Sequence, residues 1–209
     1  MTNIDQYKTY REVGTQLNSD ILDTYSDREL IVETAEELGI EFDGLNLAYE
    51  FESQMPIHFE FALYEYRRDG ATAADRYLEE KHWGSETERE ILEATVDADP
   101  SLFEVEDISE SEPRLTVTDL IGDYEHTLLD VNLSQTAEPG TVLFFRPVRY
   151  DEFTTTSGVS LPFSGADKTH LLEEHDRRVA SDEPQLLSRQ RFVAFHDLYR
   201  DYGIHIHHR

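Results

Sequence analysis

Two periodicities divide the chain into a helical part and an extended part. From Ile4 to Ile21, apolar residues recur every three or four positions, which predicts an amphipathic helix with one face on a core. Between Ser101 and Phe163, apolar and polar residues alternate, and turn signals separate the alternating runs. This pattern predicts helices before Ser101 and strands after it.

The extended region contains five runs of strand-like residues with turn signals between them. The fourth run is almost continuously apolar, which predicts a strand buried on both faces, and Pro147 predicts a bend or an edge within it. Short strands at this spacing predict a small antiparallel barrel or a curled meander. The five runs are Ser101–Ile108, Leu115–Ile121, Tyr124–Val131, Thr141–Tyr150 and Phe153–Phe163.

Capping signals mark several helices before the strands. Ser26 with Glu29 forms a capping box that opens a helix ending at Gly39, and Ser85 with Glu88 opens another that ends near Asp97. Three further segments are predicted as helical, the first with a strand as the alternative: Phe42–Glu52, Pro56–Asp69 and Thr72–Lys81.

Two more helices are predicted after the strands, at Lys168–Ala180 and Pro184–Tyr202. The predicted fold class is therefore α+β: a helical N-terminal half, a small five-stranded antiparallel barrel-like sheet, and two C-terminal helices. We expect a helical subdomain at 1–100, a small antiparallel β-barrel or meander at 101–163, and C-terminal helices with a His-rich tail at 164–209.

The composition is strongly acidic. Asp and Glu number 45 against 18 Lys and Arg, which gives a net charge of −27, and only three residues are lysines. This balance is typical of proteins from extreme halophiles, in which the Debye length falls to ~3 Å or less. The acidity therefore indicates the solvent more than it indicates a partner.

Several classes of protein do not fit the sequence. The chain has no cysteine, which excludes disulfides and thiolate chemistry. No signal peptide and no long apolar run is present, so we expect a soluble cytoplasmic protein with no membrane partner. Because no phosphate-binding loop, dinucleotide fingerprint or calcium loop occurs, we expect no cofactor.

The segment from Ser164 to Arg209 differs in charge from the rest of the chain. It contains seven basic and eight acidic residues, a net charge of −1, and six of the nine histidines. This segment is the one best suited to meet an anionic partner, unless its arginines bridge to the acidic body. The candidate phosphate-contacting and base-stacking residues are Arg177, Arg178, Arg189, Arg191, Tyr199 and Tyr202.

Metal ligation is only weakly indicated. His170 and Glu174 lie at positions i and i+4 and could share an ion, but His170 and His175 are five residues apart and would point about 140° away from each other. The tail histidines His205, His207 and His208 are the other weak candidates. We therefore expect no functional metal site.

Several short motifs lie between Phe42 and Phe163. They are Leu63–Gly70 with Ala73, Asp75 and Tyr77, then Ser101–Val105, Thr118–Gly122, and the Glu138-Pro139-Gly140 turn, and finally Phe153–Gly158. Together they resemble a family of prokaryotic, haloarchaeal-type proteins of unknown function. The resemblance implies membership of such a family and supplies no active site.

Three functional hypotheses remain. The leading one is a non-enzymatic binding or adaptor protein that contacts a protein partner through the barrel and the C-terminal end. The alternative is a nucleic-acid-binding regulatory protein that uses the C-terminal arginines and histidines. The second alternative is a carboxylate- or metal-dependent hydrolase built on strand carboxylates such as Asp119 and Asp130. The oligomeric state is left open.

Overall fold

A computed structural model describes residues 3–42, 44, 46–181 and 183–204. The chain forms two compact units: residues 8–97 form a helical unit, and residues 3–7 with 98–204 form a barrel unit. The α+β fold class predicted from the sequence is confirmed. In the part of the chain that is described, no helix combines the length and the apolar character needed to cross a membrane.

The helical unit contains most of α1, four further helices and one two-stranded hairpin. The segment predicted as a helix at Phe42–Glu52 instead contributes to this antiparallel hairpin, in which Phe42 pairs with Leu47. The elements are α1 (Asn3–Tyr25), α2 (Arg28–Glu37), β1 (Glu41–Phe42), β2 (Leu47–Ala48), α3 (Gln54–Tyr64), α4 (Ala73–Glu79) and α5 (Glu86–Val96).

Helix boundaries follow the capping residues. Asp27, one residue after the predicted Ser26, is the N-cap of α2, and its carboxylate accepts a hydrogen bond from the Leu30 amide at 2.7 Å. Ser85 caps α5 as predicted. Helix α3 ends at Tyr64, earlier than the predicted Asp69; Asp69 and Gly70, with φ values of 55° and 87°, form a turn between the paired residues Arg68 and Ala71.

A buried histidine joins α3 to its neighbours in the helical unit. The His58 ring is fully buried, with Nε2 2.7 Å from Thr34 Oγ1 and Nδ1 3.0 Å from the Tyr49 hydroxyl. The Thr34 hydroxyl donates to the Leu30 carbonyl, so Nε2 donates to Thr34 and Nδ1 accepts from Tyr49. The neutral ring satisfies both partners, and burial lowers the pKa of His58 to about 4.

His58 should make folding sensitive to acid. The unfolded chain binds the proton near pH 6.5 and the folded chain only near pH 4, so the contribution of His58 is complete above pH 6.5 and is lost as the pH falls toward 4. The loss amounts to about 3 kcal/mol in the free energy of unfolding. Denaturant titrations from pH 4 to 7 should show this slope in the wild type and a flatter one in His58→Gln. His82→Gln, which replaces an exposed histidine of the same unit, is the matched control; equal slopes in all three proteins would contradict the assignment.

The barrel unit consists of a five-stranded closed barrel followed by two helices. The barrel order is β3-β4-β5-β7-β6; all pairs are antiparallel except β5 and β7, which pair in parallel at Leu128 and Thr154. The prediction that all strands pair in antiparallel fashion is therefore wrong for one pair, β5 with β7. The elements are β3 (Ser101–Ile108), β4 (Arg114–Asp119), β5 (Glu125–Leu129), α6 (Leu133–Thr136), β6 (Val142–Arg149), β7 (Thr154–Phe163), a 3-10 helix (Gly165–Asp167), α7 (Lys168–Arg178) and α8 (Pro184–Tyr202).

Strand β6 is buried on both faces, as its apolar sequence predicts. Inside the barrel, the Phe145 ring stacks on Phe103 with centroids 4.2 Å apart. Outside it, Phe144 stacks on Phe195 of α8 with centroids 4.6 Å apart. The register between β6 and β7 shifts between Phe145 and Pro147, where two residues of β6 advance against four of β7, so the irregularity places extra residues in β7.

Truncation of the inner stack should destabilise the barrel strongly. Phe103 and Phe145 are almost fully buried, and Phe→Ala substitutions in cores cost about 3–5 kcal/mol because a cavity remains. We therefore expect Phe103→Ala to lower the free energy of unfolding by that amount in denaturant titrations. Tyr124→Ala removes an aromatic ring that is 66% exposed and should change it by less than about 0.5 kcal/mol. Similar effects of the two substitutions would argue against this core.

Candidate binding surface

The exposed Arg177 and the half-buried Arg178 of α7 pair with a carboxylate of their own helix. Arg177 and Arg178 both form ion pairs with Glu174, and Arg178 also lies 3.6 Å from Asp197 of α8. Hydrogen bonds from the two guanidinium groups lower the pKa of Glu174 to about 2. Two of the four predicted phosphate-binding arginines are therefore neutralised locally.

Of the other predicted nucleic-acid-contacting residues, Arg189, Arg191 and Tyr199 are buried or half-buried. Arg191 is half-buried and donates to the Pro100 carbonyl at 2.9 Å, and Arg189 is also half-buried. Tyr199 is buried, with its ring against Phe163, so it has no exposed face on which a base could stack. Among the predicted aromatic residues, Tyr202 is exposed. The predicted set does not form one exposed face, because the helices use these side chains to pack and to cap.

An apolar surface remains at the C-terminal end of α8. Tyr202 and Ile204 are 42% and 45% exposed, and the Tyr202 ring meets the half-buried His170 ring edge-to-face at 4.8 Å. We call these three residues, His170, Tyr202 and Ile204, the C-terminal patch. It combines an aromatic ring, an imidazole and a branched aliphatic side chain in the segment that has almost no net charge.

The chain turns back onto the barrel directly after α8. Gly203 pairs with Phe163, and the Ile204 amide donates to the Pro162 carbonyl at 2.8 Å, antiparallel to β7. A Cβ atom on Gly203 would collide with the Tyr199 ring and with its carbonyl oxygen, so the turn requires glycine here. The sequence analysis missed this pairing; a glycine after a helix followed by a β-branched residue was the available signal.

The weak metal candidates that lie among the described residues, His170 and Glu174, belong to no group of three potential ligands. The Glu174 carboxylate is shared by two arginines, His170 faces Tyr202, and His175 is buried with its ring stacked on Phe195 at 5.9 Å. His205, His207 and His208 lie outside the described residues. Within residues 3–42, 44, 46–181 and 183–204, no three His, Asp or Glu side chains lie close enough to hold an ion.

The two buried strand carboxylates close turns. Asp119 accepts hydrogen bonds from the amides of Ile121 and Gly122 and from the Ser101 hydroxyl at 2.7 Å. Asp130 accepts from the amides after β5 and, at 2.9 Å, from the Thr156 hydroxyl. Both carboxylates accept hydrogen bonds from backbone amides, which is the ordinary role of Asp at a turn.

The barrel has the strand order of OB-type Greek-key barrels. Barrels of that type bind oligonucleotides or oligosaccharides on their second and third strands, which here are β4 and β5. In this chain the outward positions of β4 and β5 include Thr116, Thr118, Glu125 and Thr127. Residues 101–129 contain eight acidic residues and one basic residue, Arg114, which pairs with Glu112 at 2.7 Å. These two strands therefore supply few cations of their own for phosphate contacts, although the exposed Arg149 of β6 lies close enough to lower the pKa of His126 in β5.

The Glu174 cluster can be tested by titration. The Glu174 carboxyl should titrate near pH 2 in carbon-detected NMR, and Arg177→Ala combined with Arg178→Ala should raise its pKa toward the ordinary value of 4.5. Since the folded pKa is lowered, the ion pairs stabilise the fold above pH 4.5 and stop doing so as the pH falls toward 2. An unchanged Glu174 titration in the double variant would contradict the pairing.

Comparisons with known proteins identify the chain's family. No curated protein and no solved structure matches the chain. One family model matches all of residues 1–209, a wider range than the Phe42–Phe163 likeness predicted from the motifs. The chain therefore belongs to a family of unknown function, DUF7986.

Proposed function

We propose that the protein is a non-enzymatic binding or adaptor protein of a halophile's cytoplasm, and that the C-terminal patch is its contact surface for a protein partner. The observation that carries this proposal is the exposure of Tyr202. Phe192, Phe195, Tyr199 and Tyr202 follow one another at helical spacing, and the first three are buried against the barrel unit. Tyr202 continues this row of aromatic residues but is 42% exposed, so the apolar face of α8 extends beyond the part of the helix that the barrel covers.

The chemistry of the patch suits a protein partner. Tyrosine buries a large area at low cost in side-chain entropy and is enriched among the residues that dominate binding energies. An acidic protein with a net charge of −27 would bind weakly through charges in molar salt, where the Debye length is ~3 Å. Apolar contacts are not screened in this way. A small uncharged patch is therefore the kind of surface that retains affinity in such a solvent.

Nucleic-acid binding is the second candidate, because the barrel has the strand order of OB-type barrels. The charges oppose it. The β4–β5 region is acidic, and the C-terminal arginines are paired or half-buried. Affinity that rests on phosphate contacts also falls steeply as salt rises. The hydrolase alternative has no comparable support, since the buried carboxylates Asp119 and Asp130 close turns.

The test is capture from host extract at the host's own salt, with variants matched in chemistry. The wild type and Tyr124→Ser should retain a stoichiometric protein partner, whereas Tyr202→Ser should weaken its binding about 10-fold or more, because truncation of a central aromatic anchor has an effect of this size. Tyr124 is the control because it is an aromatic residue 66% exposed in the same unit, at the start of β5.

Other outcomes would decide against the proposal. Equal capture by Tyr202→Ser and the wild type would remove the patch as the contact surface. Nuclease-sensitive material in the eluate, with no protein partner, would favour the second candidate. An empty eluate from the wild type would contradict both binding functions.

A further inference from the structure

Polar side chains meet at the end of the barrel where β6 ends and β5 and β7 begin. Arg149, the last residue of β6, pairs with Thr154, the first residue of β7, and Thr154 pairs in turn with Leu128 of β5. Paired residues project from the same face of a sheet, and in an antiparallel pair their Cβ atoms lie about 5 Å apart. Because Leu128 belongs to the core inside the barrel, Thr154 and Arg149 also project from the inner face.

His126 is the third polar side chain at this end. It precedes Leu128 by two residues on β5, so it projects from the same inner face, and its ring meets Phe103 edge-to-face with centroids 5.7 Å apart. Burial lowers the pKa of His126, and the nearby charge of Arg149 lowers it further. The half-buried imidazole and the exposed guanidinium therefore share one end of the barrel.

The side chains of Arg149, His126 and Thr154 form no hydrogen bond and no ion pair within the described residues. The chain carries 45 acidic residues against 18 basic ones, so carboxylate partners are plentiful. Arg114, at the other end of the barrel, has such a partner in Glu112 at 2.7 Å. The fold instead leaves the Arg149 guanidinium exposed to solvent, with two further donors beside it.

The carboxylate of Asp119 does not neutralise this end of the barrel. It raises the pKa of His126, but by less than Arg149 lowers it. Its oxygen Oδ1 already accepts hydrogen bonds from the Ser101 hydroxyl and from two backbone amides of the following turn. The positive charge of Arg149 therefore remains available to a ligand.

We propose that Arg149, His126 and Thr154 bind the phosphate group of a small molecule. The guanidinium can donate two parallel hydrogen bonds to phosphate oxygens, and the imidazole and the hydroxyl can donate one each. These donors come from three strands, so they approach one point from different directions. That arrangement suits a tetrahedral anion with three free oxygens better than a planar carboxylate.

The ligand is a small molecule because the site has one guanidinium. One guanidinium can hold one phosphate group, whereas a nucleic acid presents a series of phosphates that needs a series of cations. The site lies at the start of β7, and the C-terminal patch adjoins the far end of the same strand at Pro162. The inference therefore goes beyond the proposed function and does not rest on it.

Titration of the full-length protein with inorganic phosphate tests the site. The solvent is molar potassium chloride, in which chloride competes throughout and charge alone contributes little. Isothermal titration calorimetry should show saturable binding of phosphate and weaker binding of acetate. In NMR spectra, phosphate should shift the imidazole signals of His126 and leave those of His82, an exposed histidine of the helical unit, unchanged.

Matched variants test the individual donors. Arg149→Gln should weaken phosphate binding about 10-fold or more, because it removes a charged donor. Arg114→Gln changes the net charge equally and should bind phosphate as the wild type does, since Arg114 projects from the outer face of β4 and is already paired. Thr154→Val keeps the shape of the side chain but removes its hydroxyl, and should weaken binding about fivefold. Circular dichroism confirms that each variant is folded.

Three results would overturn the phosphate site: no saturable binding by the folded wild type, tighter binding of acetate than of phosphate, or equal losses in Arg149→Gln and Arg114→Gln. His126 signals that do not respond to saturating phosphate would also contradict it. The adaptor proposal is tested separately, by capture of a protein partner through Tyr202, so either proposal can fail while the other stands.

Discussion

The barrel unit depends on the burial of β6 between two aromatic stacks. Phe145 faces the barrel interior and stacks on Phe103, while Phe144 faces outward and stacks on Phe195 of α8. A strand that is apolar on both faces cannot lie at the surface, so α8 must cover the barrel there. This packing fixes the direction of α8. It thereby determines where the helix ends, which of its aromatic residues are buried, and where the chain returns to β7.

Local patterns predicted most of the elements because each carried its own signal. The alternation in Ser101–Ile108 and the apolar run around Phe144 gave strands in the right places, and Ser85 and Pro184 marked helix starts. The segment that pairs Phe42 with Leu47 was predicted as a helix with a strand as the alternative, because two-residue strands are too short for their period to decide between the two. The parallel pairing of β5 with β7 depends on contacts between distant residues, which no local pattern records.

The candidate site was less predictable for the same reason. Tyr199 and Tyr202 have the same chemistry and nearly the same helical phase, yet Tyr199 is buried and Tyr202 is exposed. The two residues differ because the barrel covers α8 at Tyr199 and no longer covers it at Tyr202. This depends on how the helix packs on the barrel, which the local sequence does not show. The sequence similarly did not show which arginines are available to a ligand, because Arg178 and Arg191 have partners on other parts of the chain.

We propose that the protein contacts a protein partner at the end of α8. Amide hydrogen exchange of the full-length protein, compared in buffer and with the partner captured from host extract at equal salt, tests this proposal most directly. We expect slower exchange on binding around Tyr202, and no change on β4 and β5. Protection confined to β4 and β5, or no protection anywhere, would contradict it.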